Sequence, residues 1–328
     1  MSRKSPVRPG EFELIARYLA PMAGPGALGL TDDAAVLTPP PGSDLVLSKD
    51  ALVAGVHFFA DDPPALIGRK ALRVNLSDLA AKGARPLGFL LGLGLPRGWR
   101  EDWIAGLADG LAADSAEFAC PLLGGDTVAA GSRAMLSVTV LGAVPAGSMA
   151  RRSGGKPGDA LYVSGTIGDG ALGLLARMAE REGRAVAADA PLVLRYLVPE
   201  PRMALAQVVR NHASAAMDVS DGLMGDAEKL AAASGCGLAL QLSDVPLSPR
   251  SRAWIAADPD NLRRAVTGGD DYEILAAVPP ERATAFEVAA QVAGISVTRI
   301  GALTESGKQI LGPNATPVHW RDASFRHF

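Results

Sequence analysis

Apolar residues along this chain switch repeatedly between helical and strand spacing, and the switches mark its elements. Glu11 to Leu19 carries apolar positions at helical spacing, and glycine and proline break the pattern between Pro21 and Gly29. Residues 34–38 and 45–48 read as short strands joined by a Pro-Pro-Pro-Gly-Ser turn. Pro63 and Pro64 open a long helical pattern that runs to Lys82, with Gly83 as its stop and Pro86 just beyond. Residues 87–95 predict a buried strand, 100–117 a helix, 121–123 a short strand and 134–144 a longer one.

Residues 145–158 are rich in Gly, Ser, Pro and basic side chains and poor in apolar ones, which predicts a domain boundary. Beyond it the pattern predicts strand 160–164, helix 171–182 and an Ala-rich linker. Helix 201–210, strand 215–217, helix 222–234 and strand 238–242 follow, with further α/β elements to Gly301. The expectation is an α/β chain (α+β, mixed sheets) in two domains, residues 1–148 and 149–328.

Composition narrows the classes. The 328 residues, 48% hydrophobic and 20% charged, belong to a globular protein with room for two cores. No apolar run approaches the length of a bilayer crossing, so no membrane role is expected. The basic start (Arg3, Lys4, Arg8) lacks the apolar stretch of a signal peptide. Cys120 and Cys236 lack metal-ligand spacing and read as reduced thiols of a cytoplasmic protein. A net charge of −3 argues against nucleic acid as a partner.

Aspartate outnumbers glutamate about two to one, and many aspartates stand beside Gly, Ser or Thr. Most such residues serve as caps and turns. Five segments invite more: Thr31-Asp32-Asp33-Ala34, Ser48-Lys49-Asp50, Asn75-Leu76-Ser77-Asp78, Gly124-Gly125-Asp126-Thr127 and Asp218-Val219-Ser220-Asp221-Gly222. Four of them abut a predicted strand, and the fifth puts Asn75 and Asp78 on one face of a helix. Ends of strands are where α/β folds build ligand sites. Two carboxylates ~4 Å apart repel by about 4 kcal/mol at an effective dielectric near 20, so gathering several of them calls for cations. The donors are all oxygen, which suits Mg²⁺ and disfavours zinc.

Mg²⁺ among aspartates and glycines points to phosphoryl transfer. The phosphate-binding loop signature is absent, since Gly154-Gly155-Lys156 runs into Pro157. Two G-x-G-x-x-G matches occur. Gly24 to Gly29 has no preceding strand; Gly168 to Gly173 has one, with Asp189 about twenty residues on, but the segment before Asp189 reads as loop, not strand. Close helix packing or a bound phosphate explains that match as well as a dinucleotide does. His57, seven residues past Asp50, reads either as a half-buried structural histidine or as a donor to a substrate phosphate.

The ordered set of segments resembles the thiamine-monophosphate kinase family. It comprises Gly10-Glu11-Phe12, Asp32-Asp33-Ala34, Asp50 with Leu52 to Phe58, Asn75 to Ala81, Gly124 to Thr127, Arg152-Ser153-Gly154, Asp218 to Leu223, Gly268 to Glu273 and His327-Phe328. The resemblance implies the two-domain aminoimidazole ribonucleotide synthetase-like fold, an N-terminal domain that binds ATP and Mg²⁺ and dimerises, and a C-terminal domain that completes the active site. It implies ATP-dependent phosphorylation of thiamine monophosphate with several Mg²⁺ ions, in a cytoplasmic homodimer. Carried over by position, Asp33, Ser48, Lys49, Asp50, Asp78, Asp126, Asp218 and Asp221 would hold the metals. Gly125, Asp126, Arg152 and Ser220 would contact ATP; His57, Asp270, Trp320 and Phe325 would contact the thiamine phosphate. Lys49 stands where the family usually has threonine: a metal that takes only the backbone carbonyl loses nothing by the change, whereas one that uses the threonine hydroxyl is held more weakly. The rivals are another ATP-using member of the superfamily and a Mg²⁺–nucleotide-binding module without turnover.

Overall fold

The computed structural model describes residues 8–318, 320 and 324. Phe325 and the terminal His327-Phe328 therefore lie outside the described residues. Two compact units are present: the chain up to Asn75 with Pro86–Ala143, and Leu76–Arg85 with the chain from Val144 onward. One short segment near position 80 belongs with the second unit.

The first unit opens with α1 (Glu11–Leu14), which continues as a wider turn to Leu19. Strand β1 (Ser43–Val53), helix α2 (Pro64–Ala81), strand β2 (Arg85–Leu95), helix α3 (Glu101–Glu117), strand β3 (Leu122–Ala129) and strand β4 (Met135–Pro145) follow. The sheet runs β1-β4-β2-β3, with β2 and β3 parallel. Helix α2 is buried on nearly every side, and Gly68 and Gly110 let α2 and α3 touch backbone to backbone; a Cβ at Gly110 would lie 1.9 Å from the Ala65 carbonyl oxygen.

Three expectations for this unit fail. Residues 34–38 are no strand: Val36 donates its amide to the Gly26 carbonyl (2.8 Å), so the segment rests on a 3₁₀ turn, and three prolines follow at once. Ser48 to Asp50 is no loop at a strand end, because β1 continues to Val53. The charges there had masked an intact period of two. Val46, Ser48, Asp50 and Leu52 share one face, the first and last of them buried, while Leu45, Leu47, Lys49 and Ala51 share the exposed one. Gly124 to Thr127 likewise lies within β3, not beyond it.

The second unit comprises β5 (Ala160–Ser164), α4 (Asp169–Arg181), α5 (Ala190–Leu197), α6 (Ala206–His212), β6 (Ala215–Val219), α7 (Leu223–Ala233) and β7 (Gly237–Gln241). It continues with α8 (Pro249–Ala257), α9 (Asp260–Thr267), β8 (Glu273–Val278), α10 (Ala283–Val292), β9 (Val297–Thr304) and β10 (Lys308–Leu311). Its mixed sheet runs β10-β7-β9-β5-β8-β6, with β10–β7 parallel and the other pairs antiparallel. Both faces are covered. Leu161 and Val163 pack with α7 residues such as Leu230, whereas Tyr162 faces Val209 of α6 and Phe286 of α10. The sequence pattern missed α5 in the Ala-rich linker. It lies against α4, where a Cβ at Gly173 would stand 2.0 Å from the Leu192 carbonyl oxygen. Among the described residues no helix is long and apolar enough to cross a membrane.

Candidate active site

In the first unit, Asp33 and Asp126 open onto one cavity of about 310 Å³, which Gly125 and Thr127 also line. Both carboxylates are exposed. Gly125 has a packing reason for being glycine: a Cβ there would sit 1.9 Å from the Leu91 carbonyl oxygen, so only a bare backbone lets β3 run beside β2 at this register. Asp126 is thereby presented at the cavity's rim from a strand, a firmer support than a loop.

On β1, the Asp50 amide donates to the Asn75 side-chain oxygen (2.9 Å), and Asn75 returns its own amide to the Ala71 carbonyl (2.9 Å). Asn75 is fully buried, so this pair fixes the register of β1 on α2. Lys49 projects from the face opposite Ser48 and Asp50, so its amine does not stand beside them. The Val53 amide donates to His57 Nδ1 at 3.0 Å, and Lys70 donates to the His57 carbonyl at 3.1 Å. An accepting Nδ1 puts the ring proton on Nε2, which makes His57 a neutral donor.

In the second unit the end of α2 brings Asp78 near Asp218 of β6. Ser77 donates its hydroxyl to Asp218 Oδ2 (2.9 Å), and Lys82 donates to the Ala216 carbonyl (2.8 Å). Burial pushes the Asp218 carboxyl well above the usual carboxylate range, and repulsion from Asp78 adds to the rise. Burial lowers the Lys82 ammonium, with Arg152 pushing the same way and Asp218 and Asp78 opposing. Two carboxylates, two cations and a hydroxyl therefore share this end of β6.

The next loop joins two more candidates. Asp270 donates its amide to the Ser220 carbonyl (2.9 Å), and Tyr272 donates to the Val219 carbonyl (2.8 Å). Asp270 and Tyr272 both hold positive φ, 72° and 54°, which turns successive side chains in directions that an extended strand would not allow. Between them, Asp271 is buried and accepts from the Gly168 and Gly170 amides at 2.8 and 3.0 Å. Burial pushes the Asp271 carboxyl up to about 8 against the pull of those two amides. An internal carboxylate thus fills the start of α4, where the G-x-G-x-x-G pattern would have cradled a phosphate. Asp189 accepts from Trp254 Nε1 (2.8 Å) and from Arg250 (2.5 Å), a structural role far from ribose binding. The glycine pattern is a packing device here.

Among the described residues, no three His, Cys, Asp or Glu side chains stand close enough to hold a metal unaided. The carboxylates come in pairs or singly instead. That fits a small hard cation which keeps waters and takes substrate phosphates as ligands, and it does not fit an all-protein cage. Trp320 is half-buried against the core of the second unit. Sequence reasoning left Asn75 and Ser77 without a role and passed over Lys82, Asp226 and Lys229. Asp226 and Lys229 lie three apart on α7, at helical spacing, a signal that reading the loop as far as Gly222 cut off.

The AIR synthase related protein models match residues 31–144 (N-terminal domain) and 156–312 (C-terminal domain). The thiamine-monophosphate kinase of Caulobacter vibrioides is 49% identical over 302 residues, 90% of this chain and 85% of that protein. The structure of the thiamine-monophosphate kinase from Stenotrophomonas maltophilia K279a superposes with TM-score 0.79 at 36% identity, covering 88% of this chain and 91% of the other. AaThiL complexed with AMPPCP and TMP superposes with TM-score 0.78 at 28% identity over 97% of each chain.

Proposed function

The chain belongs to the thiamine-monophosphate kinase family, and from that premise we propose that it transfers the γ-phosphoryl group of ATP to thiamine monophosphate, giving thiamine diphosphate. The observation that carries this reading is the likeness to the Caulobacter kinase over nine-tenths of the chain. The solved relative complexed with AMPPCP and TMP supports both substrates.

The residues offer the parts that such a reaction needs. Asp33 and Asp126 would hold Mg²⁺ at the rim of the first unit's cavity; Ser48, the Lys49 carbonyl and Asp50, on β1 at the other edge of the sheet, would form a separate group of metal ligands. Asp78, Asp218 and Asp221 would do the same in the second unit. Bound Mg²⁺ supplies neutralisation of the phosphate oxygens and orientation of the γ-phosphoryl group. Gly125, Asp126, Arg152 and Ser220 would contact ATP; Arg152 brings the fixed positive charge that a polyphosphate requires. His57, as a neutral Nε2–H donor, would hold the phosphate of the acceptor. Asp270 would face the cationic thiazolium, and Trp320 would stack on its rings, with Phe325 the other aromatic candidate. No general base is needed, because the acceptor phosphate is already ionised near neutral pH. The attack is then direct and in line, with no phosphoenzyme.

Exposed apolar residues on the first sheet, Leu45 and Leu47 on β1, Leu90 on β2 and Val128 on β3, support a homodimer formed through that sheet. The assay is chemical: ATP, Mg²⁺ and thiamine monophosphate are supplied and thiamine diphosphate is sought. Absence of product while ATP still binds would remove the proposal.

A further inference from the structure

One amine of the second unit has no part in the reaction described above. Lys229, on α7, donates to Asp221 Oδ2 at 2.6 Å and to Asp226 Oδ1 at 2.8 Å. Asp226 is fully buried, and its other oxygen accepts the backbone amides of Ser220 (3.1 Å) and Asp221 (3.0 Å). The three side chains form a clamp. Asp226 holds the turn's backbone, and Lys229 ties the carboxylate of Asp221 back to Asp226. Asp221 and Lys229 keep 41% and 39% of their side-chain surface, so their ion pair borders water and is open to exchange.

We propose that Lys229 is a resident counter-ion of Asp221, an ammonium that a divalent cation must displace in order to use that carboxylate. The proposal rests on the reading of Asp221 as a metal ligand. The physical reason is charge. An ammonium at hydrogen-bond distance occupies one oxygen of Asp221 and lowers the local negative potential, and both effects weaken the attraction for a second cation. The same contact keeps Asp221 ordered before any ligand arrives. Lys229 therefore trades affinity for preorganisation, and the site fills when a further ligand, such as a phosphate oxygen, adds its own attraction.

Mn²⁺ binding to the full chain, followed without nucleotide by the electron paramagnetic resonance of free Mn²⁺, tests this directly. The component lost in Asp221→Asn defines binding at that carboxylate. Lys229→Met should tighten this component about fivefold, the equivalent of about 1 kcal/mol for a half-exposed ion pair. Lys229→Gln, which preserves a polar contact should Lys229→Met fold poorly, should tighten it in the same direction. Lys229→Arg keeps the charge and should stay near the natural protein. Unchanged or weaker Mn²⁺ binding in both neutral variants overturns the proposal, as does an absence of binding in all of them. If Asp221→Asn removes no Mn²⁺ at all, the metal reading of Asp221 fails first, and the proposal goes with it.

Discussion

Two groups of carboxylates, one in each unit, stand in opposite environments. In the first, Asp33 and Asp126 are exposed at the edge of a cavity, on a 3₁₀-supported segment and a strand. In the second, Asp218, Asp226 and Asp271 are buried, and each brings internal partners: the Ser77 hydroxyl, the Lys229 ammonium and two α4 amides. An exposed acid is kept charged by water and costs the fold little, so it is available for an external cation. A buried acid must be neutralised by the protein itself or by protonation. Function can therefore be removed from the first kind without loss of stability, whereas the second kind couples the two.

The largest effect separates the kinds most cleanly. Asp126→Asn should lower kcat/KM by roughly a hundredfold or more while the melting temperature stays near that of the natural protein, because the side chain supports nothing else. Near-normal turnover would remove Asp126 from the metal site. Asp226→Ala should instead unfold at a lower temperature, by an amount equivalent to about 2 kcal/mol, since two amides and an ammonium lose a buried acceptor together. Thermal denaturation decides it; an unshifted melting point would show that the clamp contributes no stability.

Asp218→Asn probes the boundary between the kinds. Burial and Asp78 already favour the neutral form of Asp218, so the amide should leave metal-free stability nearly unchanged. The rise in melting temperature on adding Mg²⁺ and an ATP analogue should shrink. A variant that melts earlier without metal yet responds fully to Mg²⁺ would contradict this.

Asp271 gives an effect that depends on pH, and its sign is definite. Its folded-state pKa is raised, to about 8, above the unfolded value near 3.9, so between the two the folded state binds more protons. Its contribution to stability is present at low pH and lost as pH rises toward 8. The stability advantage of the natural protein over Asp271→Asn should therefore shrink between about pH 4 and about pH 8 and level off above that. A difference that stays level over that range would show the carboxylate to be ionised throughout, held by its two amides.

Much of this organisation is legible in the sequence because local pattern and tertiary environment agree. The long helix ending at Gly83, the buried run at β2 and the acidic segments could be read from spacing alone. Where reading failed, two signals competed. In β1 the charges of Lys49 and Asp50 concealed an alternation that burial shows to be intact. In 34–38 the apolar pattern looked like a strand, but the prolines leave no ladder to join. The Ala-rich linker hid α5 because its stability comes from close packing on Gly173, which periodicity does not record. The candidate site follows the same rule. Single acids beside glycines are visible, while Ser77, Lys82, Asp226 and Lys229 gain meaning only from partners that the fold brings to them.

The account's central claim is direct transfer between two bound phosphates with no protein nucleophile. The stereochemical course with ATP made chiral by oxygen isotopes at the γ-phosphorus tests it most directly. Inversion at phosphorus in the thiamine diphosphate formed is the predicted result; net retention would require a phosphorylated side chain and would contradict the account.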